Sequence, residues 1–237
     1  MAEPLQKAMA RRLNISRRKA EVWMAEGKVL VNGRTALLGC RIEPTDRIVV
    51  NGKLLEQEPP WTSEIWMFYK PRGIVCTHRK YPTEKNLWSI LPKKFSEPSP
   101  KWICVGRLDK DSEGLLLLTN NGSWAHRMGH PSFGIFKYYQ VTLNQPLDPI
   151  FFGALKEGLE DHHEHLHFTD VKSLGGTSLE VQLSHGKKRE IRRLLAHFNR
   201  TVIRLKRVQI GCLSLPKTFG PGNFQLLSPM EIELIFK

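Results

Sequence analysis

The stretch Gly106-Arg107-Leu108-Asp109-Lys110-Asp111-Ser112-Glu113-Gly114 runs at once into Leu115-Leu116-Leu117-Leu118 and then into Thr119-Asn120-Asn121-Gly122. A polar loop with one glycine at each edge, followed by four leucines that fit a buried strand, lets a fold hold a reactive side chain beside its core. Asp109 is the side chain to follow. Flanked in sequence by Arg107 and Lys110, its carboxylate is expected to stay ionised, available as a nucleophile rather than as an acid. An Asx-turn before a core strand would use an aspartate in the same place, so the loop needs support from the rest of the chain.

That support begins with charge. The 237 residues carry 36 Lys and Arg against 23 Asp and Glu, a formal net charge of +13, which points first to nucleic acid and second to an anionic membrane as partner. Length allows one core plus a small module. No run approaches the roughly 18 apolar residues of a membrane span, and Met1-Ala2-Glu3-Pro4-Leu5-Gln6 has no charged head and apolar signal core. A cytoplasmic location without a membrane partner is expected. Cys40, Cys76, Cys104 and Cys212 form no C-x-x-C pair, so they are read as small buried side chains, neither a disulfide frame nor a zinc site.

Residues 1–58 read as a separate module. Ser16 can cap a helix with Ala20, Trp23 and Met24 on one face and Arg17, Arg18 and Lys19 crowding its first turn. Cations there oppose the helix dipole unless a phosphate neutralises them. Asn32-Gly33 and Asn51-Gly52 are hairpin-turn signals after Val29-Leu30-Val31 and Ile48-Val49-Val50. Glu56-Gln57-Glu58-Pro59-Pro60 reads as a linker, and the second domain as 61–237.

In that second part, Ile65 to Tyr69 is a strand candidate ending in the turn Lys70-Pro71-Arg72-Gly73. On the strand Lys137-Tyr138-Tyr139-Gln140-Val141, Tyr138 and Tyr139 face opposite sides. Asp161-His162-His163-Glu164-His165-Leu166-His167 has ligand-type residues, but a polar connecting loop is the better reading. Leu179, Val181 and Leu183 alternate as a strand, and Ile191, Leu194, Leu195 and Phe198 recur as a helix face. Between them Lys187, Lys188 and Arg189 make an electropositive helix start suited to phosphate, although a solvated basic face has the same composition.

The Asp109 loop resembles the signature of the pseudouridine synthases, R-L-D, two variable residues, Ser or Thr, one more residue and G-L-L-L-L. The resemblance implies that Asp109 is the nucleophile, with Ser112 in place of the commoner Thr, and that Arg107 fills the space left when a nucleotide is flipped out. Lys70-Pro71-Arg72-Gly73 resembles the family's first motif. Lys137, Tyr139 and Val141 match its Lys-x-Tyr-x-Val pattern, which gives Tyr139 contact with the target base and a part in proton removal from the sugar. Gly186 to Arg193 resembles the third motif, usually G-R-x-x-Q-[IV]-R-R, with Glu190 replacing Gln. Ile191 would then pack on the base, and Arg192 would pair with Asp109. Residues 5 to 55 resemble the alpha-L RNA-binding domain of a small-subunit ribosomal protein, whose basic helix grips structured RNA.

Together these imply an α/β (α+β) fold: a mixed, largely antiparallel sheet carrying catalysis and a small N-terminal RNA-binding domain. The expected reaction is isomerisation of a uridine in ribosomal RNA, free or in an assembling subunit, by a monomer using no cofactor and no metal. A non-catalytic RNA-binding or ribosome-assembly protein would share the basic segments, but has no need of Arg107-Leu108-Asp109 and Lys137-x-Tyr139 in this order. A nucleic-acid hydrolase would need paired carboxylates or metal ligands, offered only by residues 161–167.

Overall fold

A computed structural model describes residues 2–13, 15–55, 63–78, 82–95 and 102–237. The chain divides into two compact units: Met1–Thr62 with Lys93–Lys101, and Ser63–Pro92 with Trp102–Lys237. The linker expected at 56–60 lies outside the described residues.

The first unit packs helices Leu5–Arg12 and Arg17–Ala25 with short strands. Ser16 caps the second helix by accepting from the Lys19 amide at 3.1 Å, and Ala20 and Met24 face a core with Leu5, Ala8, Met9 and Ile48. Trp23 is only half-buried at its edge, with the Lys19 ammonium 5.2 Å from the ring centre. Both Asn-Gly pairs turn hairpins, with φ of 51° at Asn32 and Asn51 and of 81° and 76° at the glycines that follow. Positive φ at both central residues matches the twist of the flanking strands.

The second unit is built on a sheet of nine strands among the described residues. Its main path runs Asp170–Gly175, Ser178–Leu183, Lys137–Leu143, Val202–Ile210, Glu113–Thr119, Ile65–Lys70, Phe224–Leu226. Every pairing on this path is antiparallel except the short contact of Val202–Ile210 with Glu113–Thr119. The strand Glu113–Thr119 lies inside the sheet, and its four leucines are fully buried, which is why they read as an unbroken apolar run.

One row of the sheet sets the site. Lys70 is opposite Gly114, Gly114 opposite Arg207, and Arg207 opposite Tyr139. Gly114 has φ of 105°, and a β-carbon there would stand 2.3 Å from the Arg207 carbonyl oxygen. No other residue fits where the loop enters the sheet. Gly114→Ala is expected to lower stability by at least about 2 kcal/mol, read as a shift of the urea midpoint. An unchanged midpoint would show that the row can relax.

Candidate active site

Asp109, Arg107, Leu108, Tyr139, Ile191 and the segment Gly186 to Glu190 line one cleft of about 570 Å³, within the roughly 300–1,000 Å³ of small-molecule sites. Val75 and Cys76 form part of its wall, and Leu183 and Leu205 contribute apolar lining. Leu108, Tyr139 and Ile191 belong to the same apolar cluster beneath it. Residues 70, 109, 139 and 191 come from four separate segments, and the sheet register brings them together.

The Asp109 loop is held by its backbone. Lys70 is fully buried, and its ammonium donates to the carbonyls of Pro71 at 3.0 Å, Asp109 at 3.2 Å, Lys110 at 3.5 Å and Ser112 at 2.7 Å. Burial lowers its pKa to about 8, with nearby anionic groups opposing the fall, so at neutral pH it remains charged. The Gly73 amide adds a bond to the Lys110 carbonyl at 2.7 Å. The Asp109 carboxylate itself has no hydrogen bond or ion pair among the described residues. Its expected neighbour Lys110 turns instead to Glu84, at 3.0 Å. A carboxylate fixed by its main chain but left unbonded is poised for something that enters the cleft.

Tyr139 is 7% exposed, whereas the Tyr138 hydroxyl accepts from the Gln182 side chain at 3.2 Å on the other face. The alternation expected of the strand is present. Arg107 is exposed at the cleft and makes no hydrogen bond or ion pair among the described residues.

The helix Glu190–His197 buries Ile191, Leu194 and Leu195. Arg189 precedes it in the left-handed region, with φ of 51°, an uncommon state for a side chain that size and one found at functional sites. Glu190, 2% exposed, accepts from the Lys187 amide at 3.1 Å and stands 3.3 Å from His185. Burial raises its pKa despite those bonds. The expected bare electropositive helix start is therefore partly answered by the chain's own carboxyl group. Lys187, Lys188 and Arg189 still line the cleft.

The expected pairing of Arg192 with Asp109 is corrected. Arg192 donates through Nη1 to the Val202 carbonyl at 2.7 Å and through Nη2 to the Asp111 carbonyl at 3.1 Å, and no ion pair joins it to Asp109 among the described residues. Burial lowers its pKa while the charges of Asp111 and Asp109 oppose the fall. Arg192 thus holds the loop two residues beyond Asp109. Residues 161–167 are corrected too: strands Leu159–Asp161 and Glu164–Leu166 form a hairpin, with His162 and His163 at the turn. Its Asp161 and Glu164 carboxylates bind Arg193, whose Nη1 also reaches the Lys188 carbonyl. The hairpin therefore braces the basic segment. Cys212 is exposed and the other cysteines are only half-buried, unlike the buried side chains expected. Arg17, Arg18 and Lys19 are exposed in the first unit.

Two residues escaped the sequence reading. Lys70 reads in the sequence as part of a turn, although a lysine ending an apolar strand is itself a sign of burial. Arg207, 2% exposed, donates through Nε to the Leu115 carbonyl at 2.7 Å. It shares the alternation of Leu205 along its strand, the one signal that would have placed it inward.

The sequence profile described as RNA pseudouridylate synthase matches residues 64–197, and that of the S4 domain matches residues 3–48. The chain belongs to the RNA pseudouridylate synthase family. It is 33% identical over 242 residues to "Ribosomal large subunit pseudouridine synthase B" of Pseudomonas aeruginosa, covering 99% of this chain and 62% of that protein. The protein of the same name from Vibrio cholerae is 32% identical, with 99% of this chain and 74% of that one covered. The chain thus spans between three fifths and three quarters of the length of these two relatives. A crystal structure described as a pseudouridylate synthase superposes with a TM-score of 0.70 at 27% identity, over 98% of this chain and 99% of that one. The family enzymes are isomerases, and the mixed, largely antiparallel sheet matches the expected fold.

Proposed function

We propose that the chain converts a uridine of ribosomal RNA to pseudouridine, with Asp109 as the nucleophile. The observation that carries the reading is the unbonded Asp109 carboxylate in one cleft with Tyr139, Ile191 and Arg107. A uridine within folded RNA hides its glycosidic bond and must be flipped out, at a cost of a few kcal/mol. Stacking on Tyr139, packing on Ile191 and contacts of Lys187, Lys188 and Arg189 with phosphates offset that cost. Arg107, without a hydrogen bond or ion pair among the described residues, takes the place of the departed base. Asp109 attacks the sugar or assists cleavage; the bond from the anomeric carbon to N1 breaks with its electrons leaving on N1. The uracil rotates, C5 bonds to the anomeric carbon, the proton on C5 departs and N1 is protonated. Tyr139 shares in proton removal. The reaction is an isomerisation and consumes no coenzyme.

Arg192 acts as a positioning residue through the Asp111 carbonyl. The module 1–58, with Arg17, Arg18 and Lys19 on its second helix, grips structured RNA, and 61–237 is the catalytic domain. The names of the relatives favour large-subunit RNA. In this reading the chain acts in the cytoplasm as a monomer, on RNA that is free or in an assembling subunit. No helix among the described residues is long and apolar enough to cross a membrane.

Mapping pseudouridines by carbodiimide-dependent stops of reverse transcription, in ribosomal RNA from cells with and without the gene, tests this. One or a few stops are expected to vanish on deletion and return with the wild-type gene but not with Asp109→Asn. An unchanged map would remove ribosomal RNA as the substrate.

A further inference from the structure

The turn that brings Lys187, Lys188 and Arg189 to the cleft is fastened by side chains the isomerisation does not use. Glu190, 2% exposed, accepts from the Lys187 amide at 3.1 Å, and the same oxygen stands 3.3 Å from Nδ1 of His185. Nε2 of His185 shares a hydrogen bond with Nδ1 of His167 at 3.3 Å, the two rings meeting edge to face with centres 4.5 Å apart. The Lys187 ammonium bonds to the carbonyl of His165. The His165 ring lies 5.4 Å from that of His167 and reaches the Glu157 carbonyl and the Glu160 carboxylate. A line of three groups, His167, His185 and Glu190, thus runs from the end of the hairpin at 159–166 to the Lys187 amide.

The turn needs that hold. Arg189 is in the left-handed region, with φ of 51°, a state that a side chain of its size keeps only where its surroundings fix it. The Lys188 carbonyl accepts from Arg193, and Arg189 stands 3.8 Å from the Asp111 carboxylate. Glu190 completes the hold at Lys187. Lys187, Lys137, His165 and Glu190 are the charged or titratable groups that face the two rings. Burial lowers the pKa of both rings; His185 lowers that of His167 further, and Lys187 that of His185. Uncharged, one ring can donate to the other, whereas two protonated rings would turn N–H against N–H.

We infer that Glu190, backed by His185 and His167, is a positioning residue that holds the turn from Lys187 to Arg189 in place for the phosphates of the substrate RNA. In this role it touches neither the base nor the sugar, so its loss shows in binding and not in chemistry. The phosphate contacts belong to the proposed function, on which this role rests. The fastening of the turn does not depend on that function.

Steady-state kinetics with ribosomal RNA, filter binding of the same RNA and hydrogen exchange over residues 185–190, read by mass spectrometry, test the role. Glu190→Ala removes the acceptor: Kd and KM are expected to rise about tenfold, the scale of one lost hydrogen bond, with kcat within about threefold of wild type and faster exchange in the turn. Glu190→Gln keeps an oxygen for the Lys187 amide and is expected to restore Kd, KM and exchange. Acid supplies the readout for the rings. In Glu190→Gln the line keeps only its rings to titrate, and the held turn depresses their pKa values, so protonation favours release. The KM of that variant is expected to rise as pH falls from about 7.5 to about 5.5, the opposite of the tighter RNA binding that added positive charge brings elsewhere. Unchanged Kd and exchange in Glu190→Ala, a loss carried by kcat, or a Glu190→Gln variant as impaired as Glu190→Ala would overturn positioning by Glu190. A KM that holds or falls on acidification would remove His167 and His185 from the role. If the wild-type chain forms no pseudouridine, the proposed function fails, and exchange in the turn still judges the fastening.

Discussion

Asp109→Asn is expected to reduce pseudouridine formation by a factor on the order of 10⁴ or more, the scale seen when a nucleophile is removed, while RNA affinity stays within a few-fold. The amide keeps the shape of the side chain and leaves the loop's anchors intact, because those anchors are carbonyls bound by Lys70 rather than the carboxylate. What is lost is the electron pair that the reaction needs from an anion. Single-turnover kinetics and filter binding with the same RNA separate the two effects. A variant that kept turnover would remove Asp109 from the chemistry, and one that lost binding as well would make it a structural residue.

Lys70→Met is expected to be the next most damaging change, although Lys70 is fully buried and reaches the loop only through main-chain oxygens. Methionine fills a similar volume but removes the donor that four carbonyls share; those of Asp109 and Lys110 keep the amides of Ser112 and Gly73, whereas those of Pro71 and Ser112 lose this bond, and each buried unsatisfied group costs about 1–3 kcal/mol. Part of that loss is returned because the buried ammonium no longer has to be desolvated. The chain is therefore expected to fold, with a loop that no longer holds Asp109 in place. A fall in kcat of about 100-fold, the scale of an ångström of misplacement, is expected with little change in KM and an unaltered circular dichroism spectrum. Turnover within threefold of wild type would show that the loop keeps its shape without the ammonium.

The parts of this molecule that were legible in the sequence share a cause. Leu115 to Leu118, the two Asn-Gly turns, the Ser16 cap and the Ile191, Leu194, Leu195 face are local patterns, each fixed by residues within a turn or a strand of one another. The resemblance to the synthases put Asp109, Tyr139 and Ile191 together, and they do line one cleft. What was not legible depends on register across the sheet. Nothing near Arg207 in the chain says that it lies opposite Gly114, and nothing near Lys70 says that its ammonium meets carbonyls some forty residues away. The Arg192 assignment was correct in its neighbourhood and wrong in its partner. A long side chain can stop at a backbone oxygen short of the charge it was expected to reach.

Release of tritium from ribosomal RNA carrying [5-³H]uridine tests the central claim most directly, since rejoining the base through C5 must expel that hydrogen. The purified chain, incubated with EDTA and no added coenzyme, is predicted to release tritium in step with pseudouridine formed, and Asp109→Asn to release none. No release by the wild-type chain, or equal release by the variant, would contradict the account.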